Sequence, residues 1–220
     1  MKKRVPLLAI AAALAVSPVI AAEIHRADQA PGTAEQVERG KQLYAMCAGC
    51  HGQQGEGLVG VAPAFNSQNY LAAASNDFFK ETLVKGRAGT NMVAFGAGMP
   101  EEDVDALVSY IRSFQTVPGI ELDESPLKGD LETGEEYYRT ICATCHGRSG
   151  AGYSELSSGT GIGRADFLDV ASDGFIRATV KHGKDNTQMR PFSTGSPVAV
   201  ADLTDEQIDS IIQYLRANAW

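Results

Sequence analysis

Cysteine is scarce in this chain. There are four in 220 residues, and they stand as two close pairs, Cys47/Cys50 and Cys142/Cys145. No cysteine outside the pairs is left to complete a four-ligand zinc site. Positive charge is also in deficit, with 19 Lys and Arg against 27 Asp and Glu. That excludes the basic stripe a nucleic-acid-binding protein needs. Histidine occurs four times, and two of the four directly follow the cysteine pairs. Proline is absent from Ala143 to Arg190. Apolar content of 44% is enough for ordinary globular cores, so disorder is excluded on composition.

What is present is one short string, written twice: Cys47-Ala48-Gly49-Cys50-His51 and Cys142-Ala143-Thr144-Cys145-His146. Cys-x-x-Cys-His is the attachment signature of c-type haem. Two thiols three positions apart can each form a thioether with one haem vinyl group, and the following imidazole then ligates the iron. A redox dithiol, half a zinc site or a disulfide pair would each explain Cys-x-x-Cys once. None of them requires a His at the same place both times.

Residues 1–22 read as a secretory signal peptide. Lys2, Lys3 and Arg4 form a basic start, Val5–Val16 is an almost unbroken apolar run, Ser17-Pro18 breaks it, and Ala21 and Ala22 are small residues for cleavage. The expected location is the periplasm; an uncleaved leader would instead anchor the chain to a membrane. Loss of the three basic residues takes the formal charge from −8 to −11. Such acidity serves solubility, or docking to a basic partner.

The rest of the chain is a tandem repeat. The haem strings are 95 residues apart. The stretch from Ala74 to Leu83 reads against Ala171 to Val180 at an offset of 97. Gly86-Arg87 matches Gly183-Lys184, and Thr90-Asn91-Met92 matches Thr187-Gln188-Met189. The last helices align at 104, with Val104, Leu107, Val108 and Ile111 opposite Ile208, Ile211, Ile212 and Leu215. Offsets that change only between blocks mean short loop insertions in a duplicated fold. Each copy reads as helical. Val37, Gly40, Lys41 and Tyr44 share one helix face, with Gly40 allowing another helix to come close. Pro100-Glu101-Glu102-Asp103 opens the last helix of the first copy. Thr204-Asp205-Glu206-Gln207 is a capping box before the last helix of the second. The expected division is 33–117, an acidic linker 118–130, and 131–220, all-α throughout.

Each His needs a partner across the haem. The repeat offers Met92, 41 residues after His51, and Met189, 43 after His146. Both stand in polar loops that end in an aromatic, Phe95 or Phe192. Met99 is the rival in the first copy but has no counterpart in the second. Met46 abuts Cys47 on the proximal side. His182 matches Lys85 in the repeat and reads as a surface residue; His25 lies just after the leader and has no chemical role assigned.

With these features both halves resemble class I c-type cytochromes. The shared features are Gly-x-x-x-Tyr in the first helix, Cys-x-x-Cys-His-Gly, the loop Met, and an aromatic in the final helix. The spacing from Met92 to Tyr110 is also that of the family. The resemblance implies two covalent haem c groups attached at Cys47, Cys50, Cys142 and Cys145, with iron ligands His51, Met92, His146 and Met189. It also implies that a Pro carbonyl accepts a hydrogen bond from the proximal His, and Pro63 occupies that place. The second copy has no such Pro, so a backbone carbonyl near Gly159–Gly163 is expected to serve His146.

A haem closed by His and Met leaves one-electron exchange at its edge as the remaining chemistry. The expected function is a dihaem electron carrier rather than an enzyme. Its partners by resemblance are a quinol-oxidising complex, an oxidase or a dehydrogenase presenting a basic patch. Other readings are a dedicated cytochrome subunit of a dehydrogenase complex, or a dihaem enzyme of the peroxidase or thiosulfate-oxidising kind. Both enzymes fit worse: one needs an open iron, and the other is known for a Cys ligand that this chain does not have to spare.

Overall fold

The computed structural model describes residue 29, residues 31–193 and residues 195–220. The leader and His25 lie outside the described residues. Among these, each half contributes five helices in the same order. In the first half they are α1 (Ala34–Tyr44), α2 (Ala48–His51), α3 (Gln68–Ala73), α4 (Asn76–Lys85) and α5 (Glu101–Arg112). In the second they are α6 (Leu131–Tyr137), α7 (Ala143–His146), α8 (Ala165–Leu168), α9 (Asp173–His182) and α10 (Asp205–Ala217). The described residues contain no strand, only isolated bridges at Leu58–Ala62 and Ser193–Leu203. The fold is all-α.

Local chemistry sets the helix ends. Thr33 closes a capping box with Gln36 at the start of α1, and Thr204 does the same with Gln207 for α10. Ser75 and Ser172, equivalent in the repeat, cap α4 and α9 by accepting from the N–H groups of Phe78 and Phe175. Three acidic residues fill the first turn of α5, where the helix dipole favours them.

In each half the first helix crosses the last. A Cβ on Gly40 would lie 1.9 Å from the Ala106 carbonyl oxygen, and one on Gly134 would lie 2.0 Å from that of Ser210. Only glycine permits this contact. The apolar stripes of α5 and α10 are buried beneath it: Val104, Leu107, Val108 and Ile111 in one, Ile208, Ile211, Ile212 and Leu215 in the other. The copies differ just before the haem string, where the second widens into a π-helical turn over Tyr138–Cys142.

The two halves pack on each other through equivalent residues. Phe78 and Phe175 meet with ring centroids 4.8 Å apart, flanked by Tyr70 against Phe175 and Phe78 against Phe167. The acidic stretch between the halves is a tied strap. Ile120 donates to the Ala72 carbonyl at 3.0 Å. Glu124 accepts from Ser172 Oγ and the Gly174 N–H, capping α9. Arg177 donates to the carbonyls of Asp123 and Ser125.

Candidate haem sites

The short helices α2 and α7 begin immediately after Cys47 and Cys142. One helical turn therefore brings each cysteine pair onto one face. Cys50 is exposed and the other three cysteines are partly so. Burial pushes the Cys47 thiol up, and that of Cys142 up to about 12.

Each histidine has one ring nitrogen committed. His51 Nδ1 lies 3.0 Å from the Pro63 carbonyl oxygen, and His146 Nδ1 lies 2.8 Å from that of Thr160. A carbonyl only accepts, so Nδ1 carries the proton and Nε2 keeps its lone pair for a metal. Burial holds both imidazoles below their usual pKa, against the carbonyl hydrogen bond, and the Lys184 ammonium adds to the lowering. Both are therefore neutral at neutral pH, the ligating form. The carbonyl serving His146 falls within the glycine-bounded stretch expected from sequence. Gly159 makes this possible: its N–H donates to the Cys145 carbonyl at 2.7 Å, and a Cβ there would lie 2.9 Å from His146 Nδ1.

The two methionine loops have the same internal wiring. The Arg87 N–H donates to the Met92 carbonyl at 2.7 Å, and the Lys184 N–H to that of Met189 at 2.7 Å. Thr90 Oγ1 donates to the Arg87 carbonyl and accepts from the Met92 N–H. Thr187 Oγ1 repeats both bonds with Lys184 and Met189. Met99 has no such turn; its N–H bonds the Phe95 carbonyl, and its side chain, like that of Met92, packs on the core. His182 is exposed, and its carbonyl accepts from Asn69 Nδ2. Met46 is also exposed.

Several supporting contacts go beyond the sequence reading, which placed Tyr44 only on a helix face and in the Gly-x-x-x-Tyr pattern. The Tyr44 hydroxyl donates to the Gly52 carbonyl at 2.7 Å, and that of Tyr138 to the Gly147 carbonyl at 2.7 Å. These bonds tie the first helix of each copy to the residue after its histidine. Arg112 and Arg216 reach from α5 and α10 to carbonyls at Leu71 and Ala74, and at Leu168 and Ala171. The tyrosines keep the 94-residue offset of Gly40 and Gly134, and the arginines the offset of 104 of the last helices, which is the signal that finds them.

A thiol pair, an imidazole with Nε2 free and a thioether in a shaped loop fit the needs of haem c, and the set occurs in both copies. The chain is a dihaem class I cytochrome c, all-α, with covalently bound haem c. The family described as "Cytochrome C oxidase, cbb3-type, subunit III" matches residues 35–111 and 129–215, and the chain belongs to that family.

Among curated relatives, the cbb3-type cytochrome c oxidase subunit FixP of Azorhizobium caulinodans is 34% identical over 128 residues, 54% of this chain and 41% of the relative. Subunit CcoP of Rubrivivax gelatinosus is 28% identical over 179 residues, 80% of this chain and 52% of the relative. The chain thus spans about half the length of these two relatives. Cytochrome c4 of Thiocapsa roseopersicina is 26% identical over 180 residues, 78% of this chain and 86% of the relative. A solved chain of a reducing HAO-like protein complex from Kuenenia stuttgartiensis shares the fold, with TM-score 0.52 and 19% identity over 83% of this chain and 96% of that one. No helix among the described residues is long and apolar enough to cross a membrane.

Proposed function

We propose that this protein is a periplasmic carrier of single electrons, not an enzyme. In this reading Cys47 and Cys50 bind one haem and Cys142 and Cys145 the other. His51 and Met92 ligate the first iron, and His146 and Met189 the second. The observation that carries it is the paired geometry: in both halves a neutral imidazole is oriented by a backbone carbonyl, and a methionine is closed into the same threonine turn. When bound, each haem supplies a one-electron couple whose potential is raised by thioether ligation. The chain's part would be to present His51 and Met92 to one iron and His146 and Met189 to the other, and to exclude water and small ligands from both. The domains are built on the halves read from the sequence, 33–117 and 131–220, with residues 123–128 of the strap packed on the second.

Two relatives are named as oxidase subunits, which supports an oxidase among the partners; a quinol-oxidising complex or a dehydrogenase is the other partner class in this reading. A charge of −11 after leader removal would steer a partner with a basic patch over roughly 8–10 Å and raise its on-rate by about 10–1,000-fold.

The test is a haem stain after denaturing electrophoresis together with a pyridine haemochrome count. Two haems per chain are expected, and a count of one removes the paired-site reading. Electron-transfer rates with an isolated oxidase should fall steeply across a salt series. A flat dependence would mean that the acidity serves solubility alone.

A further inference from the structure

The residue that closes each methionine turn also leaves its own half. Arg87, whose N–H holds the Met92 carbonyl, sends Nη1 to the Asp166 carbonyl at 3.1 Å. Its guanidinium lies 5.9 Å from the ring centres of both Phe78 and Phe167. The next residue, Ala88, gives its N–H to Asp166 Oδ2 at 2.6 Å, and its carbonyl accepts from Arg164 Nη1 at 2.5 Å. The second half does the converse. Lys184, whose N–H holds the Met189 carbonyl, sends Nζ to the Ala64 carbonyl at 2.5 Å and lies 3.8 Å from the Tyr70 ring centre. Asp185, equivalent to Ala88, accepts from Ser67 Oγ and from the N–H groups of Gln68 and Asn69, at 2.7–3.0 Å.

We propose that each axial-methionine loop is held in ligating geometry by the opposite half, so that each iron's methionine is secured across the domain interface. This rests on the reading of Met92 and Met189 as ligands. The loop from Ala88 to Asn91 is exposed, and its own turn is made of neutral hydrogen bonds that compete with water. The bond from Ala88 to a carboxylate is of the stronger, charge-assisted kind. A loop held only by its internal turn would release its methionine more often. Anchored on the other half, it keeps the thioether on the iron. Arg87 and Lys184 are positioning residues, and Asp166 acts on the haem of the half to which it does not belong.

The experiment uses the full-length holoprotein. In the reduced state each iron-bound methionine gives its own upfield ε-methyl proton resonance, and Met92→Ala and Met189→Ala assign the two signals. Asp166→Ala lies in the second half, yet it should weaken the Met92 signal and raise the cyanide affinity of the first haem about tenfold, the size expected for losing one charge-assisted bond. The second haem should be unchanged. Arg87→Met, which leaves every residue of the second half in place, should loosen the same haem. Ser67→Ala, in the first half, should loosen the second. If Asp166→Ala affects the second haem or neither haem while Arg87→Met also leaves Met92 unmoved, the proposal is overturned. If the unsubstituted protein lacks the two methyl signals, it is the ligand reading that fails.

Discussion

The repeat contains a natural comparison between a buried ion pair and a half-buried one at equivalent positions. In the second half Arg177 Nε meets Asp209 Oδ1 at 2.6 Å, with side chains only 4% and 7% exposed. In the first half Lys80 meets Asp105 at 2.7 Å, with side chains 38% and 32% exposed. Arg177→Met strands a buried carboxylate and also removes the donors to the strap carbonyls of Asp123 and Ser125. Breaking a buried pair on one side costs about 3–5 kcal/mol, whereas a pair that keeps about a third of its surface in water lies nearer the 0.2–1 kcal/mol of a solvated pair, at its upper end of about 1 kcal/mol. For a half of roughly 90 residues, 1 kcal/mol moves the midpoint by about 4–8 °C. Arg177→Met should therefore lower the unfolding temperature of the second half by about 12 °C or more, and Lys80→Met that of the first by no more than about 8 °C. Calorimetry of the oxidised holoprotein at neutral pH, with haem absorbance followed in parallel, reads both. Replacing both partners, Arg177→Met with Asp209→Leu, should recover much of the loss, because an apolar pair leaves no unpaired charge. Equal shifts for Arg177→Met and Lys80→Met would refute the burial reasoning.

Met92→Ala and Met189→Ala should each open one iron to carbon monoxide and lower that haem's potential in a redox titration, while Met99→Ala should do neither. Gly40→Ala or Gly134→Ala forces the crossing helices apart and should cost about 1–3 kcal/mol in denaturant unfolding, with haem content unchanged. Burial pushes the Asp185 carboxyl up, but its hydrogen bonds from Asn69, Ser67 and Gln68 outweigh this and hold it below the usual range. Its contribution is complete above the ordinary carboxylate pKa of about 3.9 and is lost as pH falls through the lowered value. Amide exchange at Gln68 and Asn69 should thus accelerate below about pH 4, and Asp185→Asn should remove that pH dependence.

The sequence made the duplication legible because its periodic features are local: the repeated Cys-x-x-Cys-His, the stripes of α5 and α10, the capping box at Thr204, and a glycine where α1 meets another helix. The carbonyl near His146 could be anticipated as a region because a glycine-rich loop had to pass there. That Thr160 supplies it depends on how Gly159 lets the chain turn against Cys145. Side chains that cross between halves were not legible. Aligning Arg87 with Lys184 shows that a cation recurs, but its destination is set by docking, and no spacing along the chain encodes that. The stretch 118–130 read as a plain linker for the same reason: the residues that bind it, Ser172, Gly174 and Arg177, come some fifty positions later.

That strap bears on where the chain can be cut. A segment joining two repeats is ordinarily the first place a protease enters, since exposed polar loops fit an active-site cleft without unfolding anything else. Here Ile120, Leu122, Glu124 and Leu127 turn inward while the residues between them face solvent. Threading this stretch through a protease would mean pulling three aliphatic side chains off the core, uncapping α9 and freeing Arg177 in one motion. Residues 123–128 thus belong structurally to the half they precede. A fragment beginning at Leu131 would lack part of its own wall, whereas one beginning near Pro118 would carry it.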